Sequence, residues 1–428
     1  MIKRPFFSLG KPKLKYPVND TEEQDVIRVT PIPGRVTFFL EDPYERNEGV
    51  LIEPGDKIKT GQKLKLTEDD KDYIISSVTG TIAGISQYKG YLGKTYAAIS
   101  IDTADEEQWD DKFKEDCQKP TLENSLEFLG CLPGDTGFIP ILETHSPLNT
   151  IIINGIDKDI LVSTNQFIVQ TETENLKNGI EYLREITGAG EIVITVPPEL
   201  ASQAAETGAD VKVIEPNYPN TLPEIIMKSI LGKTLPADKT WEEAGVGLIN
   251  AEAVVAFSNA FTKGQIPVSK LLTVIKKDHT TVHVRARIGT HVKEILAVLD
   301  IETHHGDQLV LGGPMTGRAL YSEDLPISSD TDAIMVYDKD NVVFPSDCHC
   351  INCGECVRAC PAGIPVNMLI RVLENDLYEE AAKEYDLLSC IECGLCSYVC
   401  TARIPIFHYI MLGKYEFARI ETVEESNA

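Results

Sequence analysis

A cysteine-rich repeat near the C-terminus constrains this chain more than any other feature. The chain contains Cys350-Ile-Asn-Cys-Gly-Glu-Cys-Val-Arg-Ala-Cys-Pro-Ala-Gly-Ile-Pro365 and then Cys390-Ile-Glu-Cys-Gly-Leu-Cys-Ser-Tyr-Val-Cys-Thr-Ala-Arg-Ile-Pro405, with nine of sixteen positions identical. Nine of the eleven cysteines fall within residues 348–400. Cysteines clustered in this way are typical of metal ligands rather than of disulfides. The pattern therefore predicts a C-terminal module that binds metal.

The spacing within each half identifies the kind of metal centre. Each half reads C-x2-C-x2-C-x3-C, the arrangement of two-cluster ferredoxins, in which the fourth cysteine ligates the other cluster. We therefore expect two 4Fe–4S clusters with crossed ligands. The first cluster is assigned to Cys350, Cys353, Cys356 and Cys400, and the second to Cys390, Cys393, Cys396 and Cys360.

A pair of zinc sites is the alternative interpretation of the repeat. Tetrahedral zinc normally uses two C-x2-C pairs, which would leave the third and fourth cysteine of each half without a role. Gly354 and Gly394 also favour clusters, because a glycine lets the backbone approach a ligand closely. Cys348 lies outside the repeat and is not expected to be a ligand.

The charge and hydropathy of the chain exclude several classes of function. It has 40 basic and 66 acidic residues among 428, a net charge of −26, so it lacks the basic surface that nucleic-acid binding requires. Residues 1–20 lack the apolar segment of a signal peptide. No segment approaches the ~20 apolar residues of a membrane span, and the nearest, 244–261, contains Glu252. We expect a cytoplasmic chain that associates peripherally with the inner face of the cell membrane.

The rest of the sequence predicts a multidomain α/β and β protein. Prolines make residues 1–45 an N-terminal arm, and short apolar runs between glycine turns make 46–105 a lipoyl-like barrel-sandwich hybrid. Alternating strand and helix patterns make 106–265 a Rossmann-like α/β domain, with strands at 150–154, 191–196 and 211–214. The order strand, strand, helix, strand makes 266–340 a β-grasp (SLBB-like) module.

Two further predictions concern the β-grasp strand and the C-terminal region. Residues 282–288 alternate with period two, so His283, Arg285 and Arg287 are expected to point away from the core. Residues 341–412 are expected to form a helical ferredoxin domain, because apolar residues recur at helical spacing between the two cysteine runs. Residues 413–428 are expected to be a tail.

These motifs together resemble the RnfC subunit of the Rnf complex, the membrane-bound, ion-pumping ferredoxin–NAD oxidoreductase. The resemblance extends through Leu311-Gly-Gly-Pro-Met-Thr-Gly-Arg-Ala-Leu320, the twin cysteine runs and Cys400-Thr-Ala-Arg-Ile-Pro-Ile-Phe-His-Tyr409. The α/β region is also similar to the flavin subunit of respiratory complex I. The resemblance implies that the α/β region binds FMN and NAD(H). It also implies that the partners are membrane subunits of such a complex or other redox proteins, and that the donor is of the ferredoxin type. The matching cofactor-binding positions are Gly134, Gly137, Phe138, Asn154, Asp157 and Asp159.

The sequence departs from the family at the loop that would hold phosphate. The segment Pro133-Gly-Asp-Thr-Gly-Phe-Ile-Pro140 has lost a glycine and gained Asp135, and residues 141–146 lack the family's lysine. A carboxylate beside a phosphate is repulsive, by about 4 kcal/mol at ~4 Å and an effective dielectric near 20. We therefore expect weaker NAD(H) binding than in the family.

Two functions remain open at this point. The chain is either an electron-relay subunit of an Rnf-like membrane complex, and so part of an oxidoreductase, or an accessory iron–sulfur adaptor with a degenerate nucleotide site. The adaptor would pass electrons between two protein partners. The absence of a redox-active substrate pocket would favour the adaptor, and a neighbouring gene cluster that encodes ion-pumping membrane subunits would favour the relay subunit.

Overall fold

The computed structural model describes residues 12, 14–16, 27–41, 51–67, 73–134, 138–143, 148–232, 234–235 and 239–427. Within them the chain forms a β-rich unit, a parallel α/β unit, a β-grasp unit and a helical unit, in that order. This architecture confirms the predicted fold class.

The N-terminal region contains the strands β1 Leu14–Lys15, β2 Arg28–Val29, β3 Arg35–Glu41, β4 Lys57–Ile58, β5 Lys63–Leu64, β6 Ile74–Ile75, β7 Gly80–Lys89 and β8 Thr95–Thr103. The strands from β3 to β8 pair antiparallel with one another and form the β-rich unit. One sheet has the order β3-β8-β7-β4, and β5 pairs with β6. Alternate residues of β3, namely Val36, Phe38 and Leu40, are buried in the core, as the period of a strand requires.

The strand β3 differs from the prediction of an extended arm over residues 1–45. Pro31 and Pro33 exclude a helix there, as expected. The chain after them is nevertheless paired with β8 along the whole of β3. Its apolar residues belong to the barrel core, so the β-rich unit begins before residue 46.

The α/β unit contains a four-stranded parallel sheet in the order β11-β10-β9-β13. Its strands are β9 Thr150–Asn154, β10 Glu191–Val196, β11 Asp210–Val213 and β13 Val246–Asn250, while β12 Asn217–Tyr218 pairs with β1. Its helices are α1 Lys112–Asp116, α2 Leu122–Phe128, α3 Phe138–Glu143, α4 Thr164–Thr171, α5 Thr173–Thr187, α6 Ala201–Ala205, α7 Pro223–Leu231 and α8 Ala251–Lys263. All five residues of β9 are buried, because helices pack on both faces of the sheet.

The sequence pattern misses β13. Its residues run directly into α8, and the two elements, over residues 246–263, contain most of the apolar segment 244–261. Periodicity alone cannot divide such a segment into a strand and a helix. The structure divides it at Asn250.

The β-grasp unit forms a six-stranded sheet in the order β17-β16-β18-β14-β15-β2. Its elements are β14 Ser269–Ile275, β15 Thr281–Arg287, α9 Val292–Val298, β16 Gln308–Leu311, β17 Arg318–Leu320 and β18 Ala333–Tyr337. The edge strand β2 comes from the N-terminal region and pairs parallel with β15. The N-terminal region therefore contributes strands to three different sheets, since β1 pairs with β12 and β3 with β8.

One outward-facing prediction on β15 is wrong. His283 is buried, and its ring lies 4.3 Å from that of Phe167 on α4, centroid to centroid. The reason is that the α/β unit covers this face of the sheet, so both faces of β15 are packed. Arg285 and Arg287 remain partly exposed, and Arg287 pairs with Glu107 at 2.8 Å.

The C-terminal unit is helical, as predicted. Its helices are α10 Glu355–Ala359, α11 Val366–Leu373, α12 Tyr378–Glu384, α13 Leu395–Tyr398 and α14 Ile406–Asn427. Helix α14 runs through residues 413–427, where the sequence pattern predicts only a tail. In the part of the chain that the structure describes, no helix combines the length and apolarity needed to cross a bilayer.

Gly179 tests the packing of the α/β unit. It lies inside α5, and a Cβ there would be 2.5 Å from the Val254 carbonyl oxygen of α8. Alanine is the better helix former by about 1 kcal/mol, but overpacking a core typically costs about 1–3 kcal/mol. We expect Gly179→Ala to lower the urea midpoint of unfolding, followed by circular dichroism. The exposed Lys177→Ala change on the same helix should leave it unaltered, and an unchanged midpoint for Gly179→Ala would contradict this packing.

Candidate functional site

The first predicted set of cysteines surrounds one space in the helical unit. Cys350, Cys353, Cys356 and Cys400 line a common cavity, although Cys400 lies 44 residues beyond Cys356 in the chain. Burial and, to a smaller extent, the nearby Cys353, Cys350 and Cys400 together raise the pKa of the Cys356 thiol to about 11. Cys353 is exposed, so this set reaches the surface of the protein.

The second set lies deeper and also combines both halves of the repeat. Burial raises the pKa of the Cys393 thiol to about 12, and the charges of Cys390 and Cys360 add to that effect. Cys393 and Cys396 are buried. Cys360 closes α10 but lies near the thiols of the second half, as the crossed assignment requires.

The backbone of both cysteine loops has the same unusual shape. Asn352 and Glu392 have φ of 55° at equivalent positions of the repeat, and Gly354 and Gly394 follow with φ of 72° and 69°. Positive φ costs energy in a residue other than glycine and is found mainly where function requires it. Each loop thus curls around its cysteines before α10 or α13 begins.

These features fit 4Fe–4S clusters better than single ions. The thiols of the first set lie around a space rather than at one point. Among the described residues, no three His, Cys, Asp or Glu side chains converge closely enough for one metal ion. When bound, each cluster would accept and release single electrons through its cysteine thiolates.

A cleft of about 860 Å³ separates the α/β, β-grasp and helical units. Its walls include five basic and five acidic residues, and the basic ones are Lys158, Lys228, Lys239, Arg318 and Lys414. Equal numbers make the cleft far less acidic than the chain as a whole. Cys390 of the second set lines the cleft, whereas the four cysteines of the first set, all described, are absent from its walls. The cleft is of the size that cofactor sites usually have.

Asn154 and Asp157, two of the predicted cofactor residues, are buried at the end of β9. Asn154 Oδ1 accepts a hydrogen bond of 3.0 Å from the Thr195 hydroxyl. Asp157 accepts from the backbone N–H groups of Asn165 and Gln166, at 2.9 and 3.3 Å, and so caps α4. Burial raises the pKa of Asp157 to about 6. Both side chains are therefore engaged by the protein itself.

Asp159 borders the cleft but is also engaged. Its carboxylate accepts from the N–H groups of Met315 and Thr316 and from the Thr316 hydroxyl, at 2.8–3.1 Å. Burial raises the pKa of Asp159. The glycine-rich loop, residues 312–317, is held by this carboxylate, and a Cβ at Gly313 would collide with it.

Gly134 is packed against α8 rather than open to solvent. It has φ of +113°, and a Cβ there would lie 2.7 Å from the Ala253 nitrogen. Its N–H donates to the Ser329 carbonyl at 2.9 Å, and its own carbonyl accepts from Asn250 at 2.8 Å. Gly137 and Asp135 lie outside the described residues, as does the side chain of Phe138, which begins α3.

A buried ionic cluster beneath the cleft is not predicted from the sequence. Lys270 is fully buried and pairs with Glu252 and, at 3.3 Å, with Asp332, which also pairs with Lys158 at 3.6 Å. Burial alone would lower the pKa of Lys270, but the two carboxylates outweigh it and raise that pKa. Glu252 within an apolar helix pattern is the one available signal of a buried partner. The cluster joins the β-grasp unit to the α/β unit.

Three family models match this chain in sequence order. They are the RnfC barrel sandwich hybrid domain over residues 15–107, the Nuo51 FMN-binding domain over 137–259, and a 4Fe-4S dicluster domain over 349–404. A two-cluster module joined to a flavin-type α/β unit defines an iron–sulfur electron-transfer protein. The order of the three domains further makes the chain RnfC-like, which confirms the resemblance stated from its motifs.

The similar curated proteins agree with this result. The RnfC-type subunit of the proton-translocating ferredoxin:NAD(+) oxidoreductase complex of Clostridium ljungdahlii is 24% identical over 85% of this chain and 84% of its own length. The corresponding subunit of the ion-translocating oxidoreductase complex of Yersinia pestis is 25% identical over 83% of this chain and 60% of its own length. The counterpart in Rhodobacter capsulatus is 27% identical over 56% of this chain and 49% of its own length. The chain thus spans most of one relative and about half to three-fifths of the others.

A solved structure of an NAD+-reducing [NiFe]-hydrogenase, in the H2-reduced state, has a TM-score of 0.48 at 13% identity. The structural alignment covers 70% of this chain and 63% of the hydrogenase chain. A similarity of this size supports no argument about function.

Cys360 tests the crossed arrangement of the two sets. We expect Cys360→Ala to abolish or alter the cluster held by Cys390, Cys393 and Cys396 while the other cluster persists, because Cys360 lies among those thiols. Electron paramagnetic resonance of the reduced, anaerobic protein distinguishes the two. The control is Cys348→Ala, an exposed cysteine outside the repeat, which should change neither signal. Loss of the cluster on Cys350 instead would show that each half binds its own cluster.

Proposed function

We propose that this chain is an iron–sulfur electron-transfer subunit of an Rnf-type complex. It relays electrons between a soluble carrier, of the NAD(H) or ferredoxin type, and a membrane redox complex. The observation that carries the proposal is the position of the second cysteine set at the cleft and of the first set at the surface. The names of the curated relatives, which are subunits of ion-translocating oxidoreductase complexes, support it.

The positions of the two cysteine sets suggest a path for electrons through the helical unit. Cys390 borders the cleft, so the second cluster is the one to exchange electrons with a molecule bound there. Because Cys353 is exposed, the first cluster would be accessible to a protein. Ile351 beside it is 66% exposed and gives this surface an apolar contact point. Electrons would therefore pass between cleft and surface through both clusters in series.

FMN is the candidate cofactor of the cleft. The match to an FMN-binding domain, the volume of the cleft and its basic residues support it. Bound FMN would supply the exchange between two-electron carriers and single electrons. Lys158, Lys228 and Arg318 are the cleft cations that a phosphate group would contact. Asp159 would act by shaping the wall of the site, since protein groups already occupy its oxygens, whereas Asn154 and Asp157 are buried and do not line the cleft.

The partner at the surface is proposed to be a membrane subunit on the inner face of the cell membrane. The described helices do not span a membrane, so attachment would be through protein contacts. A net charge of −26 favours a basic partner and an association that weakens with salt. The alternative of an accessory adaptor is not favoured, because the relatives over most of this chain are subunits of such complexes.

Electron transfer itself provides the test. We expect NADH or a reduced ferredoxin to reduce the clusters of the anaerobically prepared protein, observed as a loss of visible absorbance. Cys393→Ala should abolish reduction of the remaining cluster by NADH, because the second cluster is the entry from the cleft. Dithionite should still reduce that remaining cluster. The proposal is wrong if dithionite reduces the wild-type clusters but neither NADH nor ferredoxin does.

A further inference from the structure

The two cysteine loops have different neighbours despite their similar sequences. In the first loop, the Cys353 carbonyl accepts from Arg358 at 3.1 Å, and Arg358 is 55% exposed and paired with Glu355. In the second loop, the Cys390 carbonyl accepts from Lys414 Nζ at 2.7 Å. The Lys414 side chain is only 21% exposed. A partly buried cation thus contacts the second loop, whereas the first loop has a cation in solvent.

Helix α14 brings Lys414 to the second cysteine loop. Gly413 lets α14 approach the residues ahead of Cys390, since a Cβ at that position would be 2.5 Å from Leu373 and 3.4 Å from Leu387. Leu387 is fully buried and lies three residues before Cys390. The next residue, Lys414, therefore reaches the loop with its ammonium group. The Glu392 carboxylate accepts a hydrogen bond of 2.7 Å from the same ammonium group, and its side chain is 41% exposed.

A second main-chain contact fixes this loop from the other side. Tyr218 donates from its hydroxyl to the Cys393 carbonyl at 2.5 Å, and the Tyr218 side chain is buried. The Met315 carbonyl lies where a Cβ of Gly394 would be. The loop cannot move away from Lys414 without breaking these contacts. The distance between the cation and the second cluster is thereby set by the fold.

We propose that Lys414 is a positioning residue that raises the reduction potential of the second cluster selectively. Reduction adds one negative charge to the cluster, and a fixed cation nearby stabilises the reduced form more than the oxidised form. Solvent weakens this effect for the exposed Arg358 at the first loop. The inference rests on the proposed two-cluster relay and adds that electrons are drawn toward the cluster beside the cleft.

The test is a redox titration of the anaerobic full-length protein followed by electron paramagnetic resonance. The second-cluster signal is the one lost in Cys393→Ala. We expect Lys414→Gln to shift its midpoint potential to more negative values and to leave the first cluster unchanged. Lys414→Arg should restore the potential. Arg419→Gln removes an exposed cation from the same helix and should shift neither cluster.

A second variant keeps the proposal testable if Lys414→Gln loses its second cluster. Glu392→Gln leaves the ammonium group in place and removes its carboxylate partner, so the potential should shift in the positive direction. Iron analysis giving eight irons per chain separates a changed potential from a missing cluster. The proposal is overturned if fully loaded Lys414→Gln titrates like wild type or shifts both clusters equally. It is also overturned if Glu392→Gln leaves the second potential unchanged or lowers it.

Discussion

The contact between the glycine-rich loop and the second cysteine loop holds the functional parts of this protein together. Asp159, in the segment that follows β9, fixes residues 312–317 by accepting hydrogen bonds from Met315 and Thr316. Met315 in turn packs directly on Gly394, where a side chain would have no room. A buried carboxylate with several charge-assisted hydrogen bonds is a strong and directional anchor. Through it the sheet of the α/β unit determines where the second cluster lies relative to the cleft.

A cluster of buried charged residues also stabilises this region. Lys270 is inside the protein with Glu252 and Asp332, and such a group is tolerated because both carboxylates face it. Removing one partner would leave an unpaired charge, which typically costs about 3–5 kcal/mol. The ion pairs therefore join the α/β unit to the β-grasp unit at the cleft, whose lining residues also come from the helical unit and, through Tyr91, from the β-rich unit.

The sequence predicts some parts of this arrangement and misses others for physical reasons. The cysteine repeat and the β-branched runs at 150–154 and 191–196 depend on local spacing, so the clusters and the central strands can be predicted. The roles of Asp157 and Asp159 depend on hydrogen bonds to residues that are distant in the chain or lie around a loop. The prediction for His283 is wrong because period-two alternation cannot reveal a second layer packed on the outer face.

The same limit applies to the residues that position the second cluster. Tyr218 and Lys414 act on main-chain carbonyls from 175 and 24 residues away, and no local motif indicates such contacts. The part of helix α14 beyond residue 412 is missed because its packing against the preceding helices is not evident from its sequence pattern.

The central claim is that two clusters with crossed ligands lie in series between the cleft and the surface. Anomalous diffraction at the iron edge from anaerobically grown crystals tests this claim most directly. The account predicts two iron clusters per chain, one bounded by Cys350, Cys353, Cys356 and Cys400, and the other beside the cleft at Cys390. A single iron cluster, zinc in place of iron, or a second cluster remote from the cleft would contradict it.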